Sequence, residues 1–145
     1  MVDGLSLAEV VIVDDEEPAR AEIRAALEGY TKSCIEIEGG PQLLRFMDQK
    51  PWNWQPELVL VDLGMPGMSG YDVIRRLREK FAQRHLPIVV VTKLGTGNDI
   101  MEAQVAGADA FVKKPATKEK LEAAIKAATA REPRRSIKNT IPYFL

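Results

Sequence analysis

Three continuous apolar runs punctuate the sequence, at 10–13, 59–61 and 86–91, with a fourth, 108–112, broken only by Asp109, and each stops abruptly at polar residues. Val, Ile and Leu without polar alternation describe strands covered on both faces, as in the interior of a parallel sheet. The residues at which they stop are Asp14 and Asp15, then Asp62, then Thr92, then Lys113 and Lys114. A fifth stretch, 34–38, alternates Ile35 and Ile37 with Glu36 and Glu38, which predicts an edge strand with one wetter face.

Helical spacing follows each run. Pro18 suits the first turn of a helix with Ala19, Ile23, Ala26 and Leu27 on one face and Gly29 as its C-cap. Pro41 opens a second, carrying Leu43, Leu44 and Met47. Ser69 and Asp72 read as a capping box for a third, with Val73, Ile74, Leu77 and Phe81 inward and Arg75, Arg76, Arg78 and Lys80 on the solvated face. Asn98 or Thr96 caps a fourth that Gly107 closes, and Leu121, Ala124, Ile125 and Ala128 trace a fifth. Between the second helix and the third strand, Trp52 and Trp54 are expected to cover core edges. Five strand–helix units with short connections predict an α/β fold: a parallel sheet, helices on both faces, right-handed crossovers. The strands near Val11 and Val59 should be central. Residues 1–130 form one domain on this reading. The remainder, 131–145, carries Arg131, Arg134, Arg135 and Lys138 and ends on apolar residues; it is expected to be a C-terminal tail or truncated linker, with a docking segment as the alternative.

Composition narrows the classes. A chain of 145 residues suits a single domain, and a formal charge of -1 provides no field for direct nucleic-acid or membrane-surface binding. No apolar run reaches the roughly 18 residues of a membrane span, and the first residues lack the basic and apolar regions of a signal peptide. With Cys34 alone, no intrachain disulfide forms, which fits a reducing compartment, and a cytoplasmic location is expected. Cys34 itself reads as a small apolar residue.

In a parallel sheet the carboxyl ends of the strands share one rim, so Asp14, Asp15, Asp62, Thr92 and Lys114 should converge there. Three clustered carboxylates raise one another's pKa unless a cation neutralises them, and an all-oxygen set of this kind suits Mg²⁺. Zinc is excluded, since Cys34 and His85 are single and not placed with the acids. A metal beside a carboxylate, an ammonium and a hydroxyl makes a phosphoryl-transfer site with Asp as the nucleophile.

Over about residues 8–130 these positions resemble the receiver domains of two-component response regulators. The resemblance rests on Asp14-Asp15, on Asp62 with Met65-Pro66-Gly67 and Gly70, on Thr92, and on Lys114-Pro115. It implies a flavodoxin-like, doubly wound, five-stranded sheet of order 2-1-3-4-5 with five helices. It further implies Asp62 as the phosphoacceptor, and Asp15 and Asp62 with the Gly64 carbonyl as Mg²⁺ ligands, Asp14 acting through bound water. Thr92 and Phe111 are then the switch residues, reshaping the surface formed by the fourth helix, fifth strand and fifth helix. The partners implied are a histidine kinase or histidine phosphotransfer protein and a downstream effector or missing output domain, with homodimer formation on activation. The protein would be a signalling switch that catalyses its own phosphoryl transfer and slow dephosphorylation. Lys114–Pro115 is expected to be cis. The residue after Thr92 is usually small in this family, whereas here it is Lys93.

Three other readings compete. A nucleotide-binding fold would need a Gly-rich loop after the first strand, where Asp14-Asp15-Glu16-Glu17 would repel a pyrophosphate. A haloacid-dehalogenase-type phosphatase would need a second acid two residues after Asp62, where Gly64 stands. A phosphorylation-independent interaction module that kept the fold is the third.

Overall fold

The computed structural model describes residues 6–81, 86–130 and 140–145. Along the chain, β1 (Val10–Val13), α1 (Glu17–Ala26), β2 (Cys34–Ile37), α2 (Gly40–Asp48), β3 (Leu58–Val61) and α3 (Gly70–Lys80) are followed by β4 (Ile88–Thr92), α4 (Gly97–Ala106), β5 (Ala110–Lys113), α5 (Lys118–Ala130) and β6 (Tyr143–Phe144). The strands form one parallel sheet of order β2-β1-β3-β4-β5-β6. This is the flavodoxin-like, doubly wound arrangement, with β1 and β3 inside and β2 at the edge.

Side-chain alternation divides the core into two layers. Val11, Val13, Val59, Val61, Val90 and Phe111 pack with α2, α3 and α4, while Val10, Ile12, Leu60, Val89, Val91 and Val112 pack with α1 and α5. Every residue of β1 and β3 is at 0% exposure, which is why neither strand alternates with polar residues. Each such side chain is worth about 1.5–3 kcal/mol of transfer free energy, so the strand ends are held rigidly.

Pro18 and Pro41 sit in the first turns of α1 and α2 as expected. Ser69 caps α3 by accepting from the Asp72 N–H, and Thr96 and Asp99 form a full reciprocal box at α4, which Gly107 closes at φ 125°. Gly29 is not the cap of α1. The helix ends at Ala26, buried Leu27 keeps near-helical angles, and Gly29, at φ 92°, serves the turn beyond. The two tryptophans also part company. Trp54 packs edge-on against Phe46 and donates from Nε1 to Glu9 at 2.8 Å, whereas Trp52 is 91% exposed in the turn.

Arg78 does not lie on a solvated face. Its guanidinium donates to the carbonyls of Gly107 (2.9 Å) and Leu86 (2.7 Å) and to Asp109 (2.8 Å), tying α3 to the turn before β5. A helical wheel reads it as surface because its Cα is on the polar side; the long stem carries the head inward, where three acceptors satisfy it.

The sheet also has one strand more than the periodicity predicts. Residues 140–145 dock beside β5, which matches the docking alternative for the end of the segment 131–145. Phe111 N–H donates to the Pro142 carbonyl at 2.9 Å, and Ile141, 1% exposed, joins the α4-side core. Left as an edge, β5 would present a row of unpaired backbone groups, and an Ile-Pro-Tyr-Phe segment covers them. Residues 131–139 lie outside the described residues.

Arg78→Ala should lower the urea-unfolding free energy by about 3 kcal/mol, because it removes the cation paired with the buried Asp109 carboxylate. Arg76→Ala removes an exposed 3.6 Å pair with Glu79 and should change it by less than about 0.5 kcal/mol. Equal losses would contradict this assignment.

Candidate functional site

Main-chain bonds bring the strand ends to one rim. Asp14 N–H donates to Ile37 O at 3.1 Å, Asp62 N–H to Val13 O at 3.0 Å, and Lys114 N–H to Thr92 O at 2.7 Å. The acids after β1 and β3 therefore stand side by side, with the β4 and β5 ends next along. The chain leaving β3 turns back sharply, with Gly67 at φ 78°, and Gly70 N–H donates to Leu63 O at 3.0 Å. Gly70 is dictated by this close approach: a Cβ there would stand 2.1 Å from the Asp62 carbonyl oxygen and 2.6 Å from Leu63 Cα. The Lys114–Pro115 bond is cis.

Asp14, Asp62 and Thr92 are all buried, at 1%, 7% and 1% exposure. Lys114 Nζ lies 2.8 Å from Asp14 Oδ2 and 3.8 Å from Asp62 Oδ2. Asp14 also accepts from the Glu16 N–H at 3.0 Å, and its carbonyl takes Arg20 Nη1 at 2.7 Å. Burial raises the Asp62 carboxyl above its ordinary value; the Thr92 hydroxyl, Lys114 and the Gly64 N–H work against that rise, and the Asp14 charge adds to it. Burial disfavours the Lys114 ammonium, yet its hydrogen bond to Asp14 and the charges of Asp62, Asp14 and Glu16 win, and its pKa is raised. Lys114 is thus held as a cation between Asp14 and Asp62.

Carboxylate oxygens of Asp14, Asp15 and Glu16 lie within 4.8 Å of one another, with Asp14 buried and the other two exposed. Glu16 was not among the expected ligands. Its signal is the unbroken acidic run Asp14-Asp15-Glu16-Glu17 at the end of β1. Of the Gly64 backbone, the N–H faces the Asp62 carboxylate. Phe111 is fully buried on the α4 side of β5, in register with Val90. Lys93 is exposed just beyond Thr92. Cys34 begins β2, paired with Val10 at the far end of the strands from the rim, and burial raises its thiol pKa. His85 lies outside the described residues.

Residues 10–126 match the response regulator receiver domain family. The chain belongs to that family. The receiver domain resembles the phosphate regulon transcriptional regulatory protein PhoB of Pseudomonas aeruginosa, at 34% identity over 123 residues, 84% of this chain and 52% of that one. PhoB of Escherichia coli is 31% identical over 122 residues, again 52% of its length. This receiver chain therefore spans about half the length of the relatives it matches. Among solved structures, a Clostridium thermocellum response regulator receiver domain protein superposes with a TM-score of 0.71 at 26% identity, covering 85% of this chain and 94% of that one. The BeF3-activated receiver domain of DrrB, at TM-score 0.72 and 23% identity over 86% and 99% of the two chains, shares the fold. A two-component signalling switch is what the family supports, and the phosphorylation-independent module is not favoured. Among the described residues no helix is long and apolar enough to cross a membrane.

Gly70→Ala should displace the β3 end of this receiver domain, at a cost of about 1–3 kcal/mol from the forced overlap with the Asp62 backbone. Gly64→Ala, whose Cβ would meet open space, should cost less. Urea unfolding of both variants checks the contrast, and an equal cost would contradict it.

Proposed function

We propose that Asp62 accepts a phosphoryl group from a histidine kinase or histidine phosphotransfer protein, in a reaction that this receiver domain's own side chains promote. What carries the reading is Lys114 Nζ standing 2.8 Å from Asp14 and 3.8 Å from Asp62. A cation from β5 thereby unites the acids that end β1 and β3. An Asp62 oxygen attacks phosphorus, the bond from phosphorus to the donor histidine nitrogen breaks, and that nitrogen keeps the electron pair. No general base is needed, since the nucleophile is a carboxylate that is already ionised at neutral pH. Lys114 is placed to meet one phosphoryl oxygen and the Thr92 hydroxyl another.

The donor set fits Mg²⁺, since Asp14, Asp15 and Glu16 converge with oxygens alone, Asp62 is their neighbour across β1 and β3, and the Gly64 carbonyl is the backbone ligand the family implies. Mg²⁺ would supply charge neutralisation between the carboxylates and the incoming phosphoryl oxygens. Thr92 and Phe111 are the switch pair, and the α4–β5–α5 face is the output surface. Hydrolysis of the acyl phosphate returns the domain to its starting state. The name of PhoB describes a transcriptional regulator; by that likeness the response here is passed to an effector protein or an output domain, with homodimer formation as one form of response. Any DNA contact would belong to the output domain. A cytoplasmic setting suits a kinase donor.

Incubation with acetyl phosphate and Mg²⁺ should add one phosphoryl mass to the intact chain, and Asp62→Asn or removal of Mg²⁺ by EDTA should abolish it. Asp15→Asn should weaken Mg²⁺ binding, so that half-maximal labelling needs about tenfold more Mg²⁺. Undiminished labelling of Asp62→Asn would refute the assignment.

A further inference from the structure

The segment that docks on β5 makes contacts on both faces of the sheet. Ile141 is 1% exposed and packs in the same cluster as Phe111, Ile100 and Ala103, while Phe144 packs on the α5-side core. Ile141 N–H donates at 2.8 Å to Oε1 of Gln104, itself a buried residue of α4. Tyr143 and Phe144 are in register with Phe111 and Val112. Pro142 contributes its carbonyl to Phe111, and a proline is tolerated there because the strand is an edge.

We propose that the β5 edge, with the groove between β5 and α4, is a strand-binding site filled by residues 140–145 of the same chain, and that its occupancy is coupled to the phosphoryl state of Asp62. The coupling rests on the phosphoacceptor reading above. β5 is the shared element. Its Phe111 N–H holds the docked segment, and three residues on, Lys114 reaches Asp14 and Asp62. The structure combines a docked strand, a fully buried Phe111 and a buried Thr92 ending the neighbouring strand β4. Those features belong to one arrangement: Ile141 sits at the sheet-edge side of the cluster holding Phe111, so Phe111 cannot turn outward without disturbing it. Docking therefore favours the inward arrangement of Phe111, on the strand that leads to Lys114. A two-residue ladder and one buried isoleucine make a reversible attachment rather than a fixed one. Linkage then requires reciprocity: phosphate on Asp62 tightens docking by the factor by which docking tightens phosphate. The docked strand is also one wall of a cleft whose other wall is Gly97, Ile100 and Met101 of α4, so occupancy changes the face a partner meets.

The test uses the whole 145-residue chain with Ile141→Asp and Gln104→Leu variants, NMR-detected amide exchange, and titration with beryllofluoride at fixed Mg²⁺ as the phosphoryl stand-in. Retained protection of the β1 and β3 amides shows that a variant is folded. The expected result is loss of protection at the Phe111 and Ile141 amides in both variants, and beryllofluoride affinity weakened about fivefold. In the unaltered chain, beryllofluoride should slow exchange at those two amides. Rapid exchange of the Ile141 amide in the unaltered chain, with beryllofluoride bound, overturns the docking. Undocked variants with unchanged affinity overturn the coupling. Failure of the unaltered chain to bind beryllofluoride refutes the phosphoacceptor reading, and the coupling with it, while the exchange data still decide the docking.

Discussion

The repulsion among carboxylates at one rim of the sheet is the constraint to which the rest of the structure answers. A parallel sheet brings every strand's carboxyl end to the same side, and here β1 and β3 arrive with Asp14, Asp15 and Asp62. Burial makes the crowding more costly, because water no longer screens Asp14 and Asp62. Lys114 meets two of these acids and offsets only part of the charge, and Glu16 adds to the excess. Such a rim carries an excess of negative charge that a divalent cation would offset.

Keeping the acids crowded requires a rigid support. The fully buried β1 and β3 provide it, as does Gly70, whose backbone lies too near the Asp62 carbonyl for any side chain. Arg78 does similar work at the other end of the sheet, fixing α3 to the turn that leads into β5. Since β5 carries both Phe111 and the approach to Lys114, that fastening bears on the site as well as on stability.

Elements with a period were legible before the structure. Uninterrupted Val and Ile runs gave the buried strands, the Ile–Glu alternation at 34–38 the edge strand, and prolines and capping residues the helix starts. The convergence of Asp14, Asp62, Thr92 and Lys114 followed from topology, since each ends a parallel strand. What escaped depends on reach or on long-range pairing. Arg78 sits on the polar side of a helical wheel, and only the distant carbonyls of Leu86 and Gly107 explain its burial. Residues 140–145 offered too short an apolar run to mark a strand, because β5 supplies half of its bonding. Glu16 hid inside an acidic run whose members differ only in where the turn after β1 points them.

The most direct measurement is the urea-unfolding free energy of the whole chain as Mg²⁺ is titrated at constant ionic strength. If the acidic rim binds the cation in the folded state alone, stability rises and approaches a slope of about 1.4 kcal/mol per tenfold increase in Mg²⁺ above the dissociation constant. A flat profile into the millimolar range would contradict the account, since the carboxylates would then tolerate one another without a cation.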